Sequence, residues 1–283
     1  DTVFTFEHME ADQILQLIPK KLRLPKLKKV FGAYQKGLRG KGWNSLYFEN
    51  HDQPRSVERF AGKYGDLRKE AAKMLAVALY MQQGTPYCYQ GQEIGMTNYP
   101  WKNWDEFEDV MVDTVLSIIN KVAPFLKGYA FKVMKWRARD NARTPMQWNS
   151  EKYAGFSTAQ PWLPVNPNYT EINVEEALND KNSIFYFYKE VIKFRKGNEI
   201  IINGTYNDLL PKHKDIYCYE RIYKGERLLT ICNFKNKEIK FTLPAEVVFE
   251  KSKLEIHNYG YDREKLENEM TLRPYEAMVF RTI

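Results

Sequence analysis

Apolar positions in the first hundred residues switch between a two-residue and a helical period. Residues 3–6 (VFTF) form a short β-like run, and residues 27–38 place Leu27, Val30, Phe31, Tyr34 and Leu38 on one helical stripe that Gly40 and Gly42 end. Residues 43–49 (WNSLYFE) are the next strand, stopping in the polar cluster Asn50, His51, Asp52, Gln53, with Pro54 as the break. Residues 67–83 align Ala71, Met74, Leu75, Ala78 and Leu79 and run to Gly84, a residue suited to a left-handed helix cap. Residues 85–89 (TPYCY) read as a third strand, followed by a loop over 90–95. This alternation predicts a parallel α/β sheet, in which chemistry collects at the carboxyl ends of the strands. Residues 99–182 read as irregular apart from a helix over 109–120, and 183–196 return to a helix with Ile184, Phe187, Val191 and Phe194 in register before Gly197. Beyond that the pattern changes to short strands at 216–222, 228–234, 238–243, 253–257 and 277–283. The expected organisation is an α/β part over 1–198 and a small antiparallel β domain over 199–283.

With 43% hydrophobic residues, a chain of 283 residues can bury a core, which excludes disorder and allows one large domain or two smaller ones. No window approaches the roughly 18 to 20 consecutive apolar residues of a membrane span, so a soluble chain with no membrane partner is expected. Cys88, Cys218 and Cys232 are odd in number and lack metal-ligand spacing. They read as buried free thiols of a reducing, cytoplasmic compartment. Net charge is +7, and Lys20, Lys21, Arg23, Lys26, Lys28 and Lys29 form a basic run. That run has no interleaved aromatics and leads into a helical pattern, so it reads as a solvated helix face and no nucleic-acid partner is expected. The chain opens on a strand, without a basic region, a cleavage site or an initiator Met. No signal peptide is expected, and the start reads as other than a natural one.

The most informative stretch is residues 48–55, FENHDQPR. A carboxylate, an imidazole and two amides at the end of a buried strand could bind sugar hydroxyls, each of which donates and accepts and so needs mixed partners. A polar turn whose Asp caps the next segment accounts for the same spacing equally well.

Together with VFTFEHME at the start, GTPYCYQGQEIGMTN over 84–98 and RDNARTPMQW over 139–148, this stretch resembles the oligo-1,6-glucosidase and α-glucosidase branch of glycoside hydrolase family 13. The resemblance implies a (β/α)8 TIM barrel with a C-terminal antiparallel β-sandwich domain, and retaining hydrolysis of α-glucosidic bonds in short oligosaccharides. Residues 3–7, 43–49 and 85–89 match barrel strands six to eight. Asp52 matches the carboxylate that stabilises the transition state, and His51 matches a histidine that donates to a hydroxyl of the same sugar. Arg139 matches the arginine that holds the non-reducing-end sugar. Arg143 is its rival, with a structural ion pair as the alternative role.

A retaining glycosidase also needs a nucleophile and a general acid about 5 Å apart. In the family these follow strands four and five, which would lie upstream of residue 1, so neither is expected in this chain. Glu7 and Glu10 fall on and just after the strand-six motif and are not assigned these roles. The implied partners are an oligosaccharide substrate and the N-terminal part of the barrel. Met111 stands where relatives often carry a Glu on the acceptor side. Glu93 is expected to brace its loop, and Trp101, Trp104 and Trp136 to pack their loops rather than form a sugar platform. His8, His213 and His257 lack metal spacing, and neither a metal nor a cofactor is expected. The competing reading is a non-catalytic carbohydrate-binding or scaffold relative, against which intact Asp52, His51 and RDNAR argue.

Overall fold

The computed structural model describes residues 1–14 and 18–282. Strand β1 (Thr2–Val3) is followed by a ribbon of β2 (Gln13–Ile14) and β3 (Ile18–Pro19), then by helix α1 (Leu24–Gly37), which Pro25 opens from its first turn. Strand β4 (Trp43–Leu46), helix α2 (Arg68–Tyr80) and strand β5 (Thr85–Pro86) complete a three-stranded parallel sheet in the order β1-β4-β5. Because the strands are parallel, the segments after each of them emerge at one end of the sheet. Among the described residues β1 and β5 are paired on one side only, and Phe4 and Tyr87 lie exposed beside them.

Helix α2 is buried over its whole length from Ala71 to Tyr80, not along a single stripe. Its outer side is covered by a second helix and by the C-terminal sheet, and its alanines let those layers approach. Gly84 does not cap it, since the helix ends at Tyr80 with Met81 as its cap. The glycine is required for another reason: φ is +141°, and a Cβ there would lie 2.5 Å from the Asn44 carbonyl oxygen on β4. Gly84→Ala is expected to cost about 2 to 3 kcal/mol through strain and overpacking, read as a lowered urea midpoint.

Residues 99–182 hold more helix than their composition suggests. Helix α3 (Val110–Val122), capped by Asp109, and α4 (Lys127–Arg137) form a hairpin, followed by α5 (Asp140–Arg143) and α6 (Val174–Asn179). Lysines interrupt the stripe of α4, which is why periodicity passed over it. Trp101, Phe107, Val112, Val133, Met134 and Leu163 make the core of this excursion. Helix α7 (Ile184–Lys196) then returns to pack on α2, and Arg195 from it donates to the carbonyls of Tyr80, Gln82 and Gly84.

After the short helix α8 (Glu199–Asn203) come β6 (Thr205–Asp208), β7 (Ile216–Tyr223), β8 (Glu226–Asn233), β9 (Ile239–Thr242), β10 (Ser252–His257), β11 (Glu269–Leu272) and β12 (Ala277–Thr282). The antiparallel order is β10-β12-β8-β7-β6, with β11-β9 as a separate ribbon. One face of the sheet, with Tyr217, Tyr219, Leu228 and Cys232, joins the core around α1 and α2. The other, with Ile216, Cys218, Leu229 and Phe280, closes on Phe241 and Leu272 of the ribbon. Strands β6 and β11 carry too little apolar signal to be expected from the sequence, since Thr205–Asp208 is mostly polar and Glu269–Leu272 has only Met270 and Leu272 as apolar positions. The last expected strand residue, Ile283, lies outside the described residues.

Two expectations about single residues need correction. Cys218 and Cys232 are buried on opposite faces, but Cys88 is exposed, just past the end of β5. Lys28 is not part of a solvated face. It is fully buried, and its ammonium donates to the carbonyls of Leu210, His213 and Ile216, pinning α1 to the turn before β7. Burial pushes its pKa down to about 8. Among the described residues no helix is long and apolar enough to cross a membrane.

Candidate active site

The turn after β4 is built by its own polar residues. Glu49, 3% exposed, accepts from Arg55 Nη1 at 3.2 Å, from the Ser56 backbone N–H at 2.8 Å and from Ser56 Oγ at 2.6 Å. Asn50 Oδ1 accepts from the Asp52 N–H at 2.9 Å, an Asx turn that faces Asp52 outward. Arg55 also donates to the Gln90 carbonyl at 2.7 Å, which ties this turn to the loop after β5. The carboxylate of Asp52 is therefore held in place yet remains 44% exposed.

Two guanidiniums and an imidazole surround it. Arg143 Nη2 lies 2.9 Å from Asp52 Oδ1, His51 Nε2 lies 3.2 Å from Oδ2, and Arg139 Nη1 lies 3.8 Å from Oδ1. Arg143 Nε also donates to the His51 carbonyl at 2.9 Å, and Arg137 Nη1 to the Asp52 carbonyl at 3.1 Å. The four-residue spacing of Arg139 and Arg143 across α5 brings both guanidiniums to one side. Arg139 spends its stronger bonds elsewhere: Nε and Nη2 donate to Asp109 Oδ1 at 2.9 and 2.6 Å, and its backbone N–H to Oδ2 at 2.9 Å. Burial alone would raise the Asp109 pKa, but the bonds from Arg139 outweigh it and hold the carboxyl below its usual range.

The scaffold under the arginines is Asn141. Its Oδ1 accepts from Trp101 Nε1 at 2.8 Å and from the Tyr99 N–H at 3.2 Å, while its amide donates to the carbonyls of Lys135 and Ala138. The RDNAR motif is thus a rigid bracket between the helical hairpin and the Asp52 turn. Asp109 and Arg137 were not singled out from the sequence. The first stands only as the start of the helix expected over 109–120, and nothing in the spacing reveals the second.

Three other carboxylates have partners of their own. Asp12 is fully buried against Arg59, with Oδ1 2.6 Å from Nη2. Glu7 accepts from the Tyr34 hydroxyl at 2.6 Å, and Glu10 pairs with Lys26 at 3.3 Å. Burial raises the pKa of Glu93, and among the described residues its buried Oε2 has no hydrogen-bond partner. His8 is buried with Nε2 2.9 Å from the Tyr47 carbonyl, and burial lowers its pKa to about 4, so it is neutral. Trp101 is fully buried, Trp104 packs on Phe131, and Trp136 lies under Arg59, so the three form no shared platform. Met111 packs partly buried against the hairpin core. No group of three or more His, Cys, Asp or Glu side chains among the described residues could hold a metal ion.

Comparison with known proteins matches residues 1–204 to the alpha amylase catalytic domain and residues 216–279 to the alpha-amylase SusG C-terminal domain. Oligo-1,6-glucosidase of Bacillus cereus is 48% identical over 284 residues, covering 99% of this chain and 50% of that protein. The oligo-1,6-glucosidase of Parageobacillus thermoglucosidasius is 45% identical over 285 residues, again covering 99% and 50%. Among solved structures, trehalose-6-phosphate hydrolase (TreA) of Bacillus licheniformis superposes with a TM-score of 0.93 at 42% identity, covering 99% of this chain and 51% of that one. The chain spans about half the length of the relatives it matches.

Proposed function

The chain belongs to the alpha-amylase family, and from that premise we propose that it is the C-terminal part of a retaining α-glucosidase of the oligo-1,6-glucosidase type. The parent enzyme hydrolyses α-glucosidic bonds of short oligosaccharides, and residues 1–198 supply the last strands of its barrel, with 199–283 as the β domain. The observation that carries this reading is the half-exposed Asp52 carboxylate, fixed at the carboxyl end of β4 between His51 and Arg143.

In this reading Asp52 accepts hydrogen bonds from two hydroxyls of the reacting glucose and favours the positively charged, oxocarbenium-like transition state. His51 donates to a hydroxyl of the same sugar. Arg139 and Arg143 together hold the site's anionic centre in place, and Arg143 has the larger share because its guanidinium bonds Asp52 directly while Arg139 is anchored on Asp109. The nucleophile and general acid are supplied by the other part of the barrel, since Asp12, Glu49 and Asp109 are each locked to an arginine. Cytoplasmic localisation is supported by three free cysteines.

The binding half of this proposal is testable on the chain itself. Deoxynojirimycin, a glucose-shaped cation resembling the transition state, is expected to bind, and Asp52→Asn to weaken it about tenfold or more, followed by NMR titration. Equal affinity for the two proteins would show that Asp52 does not contact the sugar.

A further inference from the structure

A cavity of about 550 Å³ opens at the seam between the segment after β3, the loop after β4, helix α4 and the C-terminal sheet. It shares no residue with the Asp52 cluster. Three lysines on its walls, Lys20, Lys21 and Lys63, are exposed and form no ion pair among the described residues. A fourth, Lys235, stands 3.4 Å from Asp215. Glu58 is the single acid of the lining. Its carboxyl accepts from Tyr64 at 2.9 Å, and burial raises its pKa.

The wall also carries an indole. Trp136 is half-buried, and the Arg59 guanidinium lies 5.5 Å from its ring centroid. Arg59 does not count towards the surplus charge, because its donors go to Asp12, Gln53 and the Met9 carbonyl. It serves instead as a fixed plate behind the ring. The opposite wall is kept in place by Tyr275, whose hydroxyl donates to the Ala61 carbonyl at 2.9 Å, and by Asn236, whose amide donates to the Lys63 carbonyl at 3.0 Å.

Surplus ammonium groups and a positioned aromatic ring in one cavity define a ligand with a strong anion at one end and an apolar ring face at the other. We propose that this cavity binds a phosphorylated monosaccharide, with the phosphate among Lys20, Lys21 and Lys63 and the pyranose against Trp136. The volume accommodates a molecule of that size, and the rim position of the lysines makes the binding sensitive to salt. The inference stands independently of the role given to Asp52.

The test titrates the purified chain with glucose 6-phosphate, glucose and inorganic phosphate in separate experiments, following the tryptophan indole N–H resonances by NMR. Glucose 6-phosphate is expected to saturate a site and shift the Trp136 resonance, with glucose and inorganic phosphate each binding about tenfold more weakly or less. Lys63→Ala and the double variant Lys20→Ala/Lys21→Ala change exposed side chains and leave the fold intact. Each is expected to reduce the affinity for glucose 6-phosphate about tenfold. Absence of saturation by glucose 6-phosphate, equal affinity for inorganic phosphate, or unchanged affinity in both lysine variants would each overturn the proposal.

Discussion

Replacing Glu276 with Gln is expected to lower folding stability by about 3 to 5 kcal/mol. Glu276 is fully buried just before β12, where Oε1 lies 2.9 Å from His257 Nε2 and accepts from Arg263 Nε at 3.0 Å and Arg273 Nη2 at 2.7 Å. Its Oε2 accepts from the Arg273 N–H at 2.8 Å. One carboxylate thus bonds two guanidiniums, with Asp262 supplying a second negative charge 2.7 Å from Arg273, and joins the turn after β10 to the start of β12. The neighbouring Asn258 extends the tie to α2 through the Glu70 carbonyl. An amide at position 276 takes from Arg263 the carboxylate it pairs with and leaves Arg273 with Asp262 alone. The pH dependence has a definite sign. Burial would raise the Glu276 pKa, but the bonds from His257 and Arg273 and the charge of Arg263 outweigh it and bring it from 4.5 to about 2. Its contribution is therefore complete above pH 4.5 and lost as pH falls towards 2. Urea midpoints of the native and Gln forms should accordingly converge in that acid range.

Arg59→Ala is expected to cost a similar amount, about 3 to 5 kcal/mol, and to reach the candidate site as well. Both side chains of the Arg59–Asp12 pair are fully buried, so the variant leaves a carboxylate without a partner in the interior. It also removes the donor that holds Gln53 Oε1 at 2.7 Å, one residue from Asp52. Deoxynojirimycin affinity should fall even at temperatures where the variant is folded. The pair Lys69–Asp180 supplies the contrast, being more than a third exposed on both sides. Lys69→Ala should change stability by less than about 1 kcal/mol, although its ion-pair distance of 2.6 Å matches that of Arg59.

Much of the architecture was legible because the signals were local. The stripe at Leu27 and Phe31 and the run from Ala71 to Leu79 gave helices α1 and α2 nearly in place, and the apolar strands β7, β8 and β12 followed from their own residues. What escaped depended on distant partners. Gly84 looked like a helix cap, and its need for glycine comes from Asn44, forty residues away on β4. Lys28 looked like surface, and carbonyls near residues 210 to 216 draw it inside. Helix α4 gave no stripe, and it is held by the aromatic cluster around Trp101. For the site, the resemblance picked out Asp52, His51 and both arginines, and the fold brings all four side chains together. The division of labour between the arginines required knowing that Asp109 faces Arg139.

The central claim is that this chain holds the sugar-stabilising side of an α-glucosidase site without the nucleophile and acid that cleave the bond. Its most direct test is release of p-nitrophenol from p-nitrophenyl α-glucoside by the purified 283-residue chain. No release above the buffer rate is expected, with or without Asp52→Asn. Robust release by the native chain, abolished in the Asn variant, would contradict the claim.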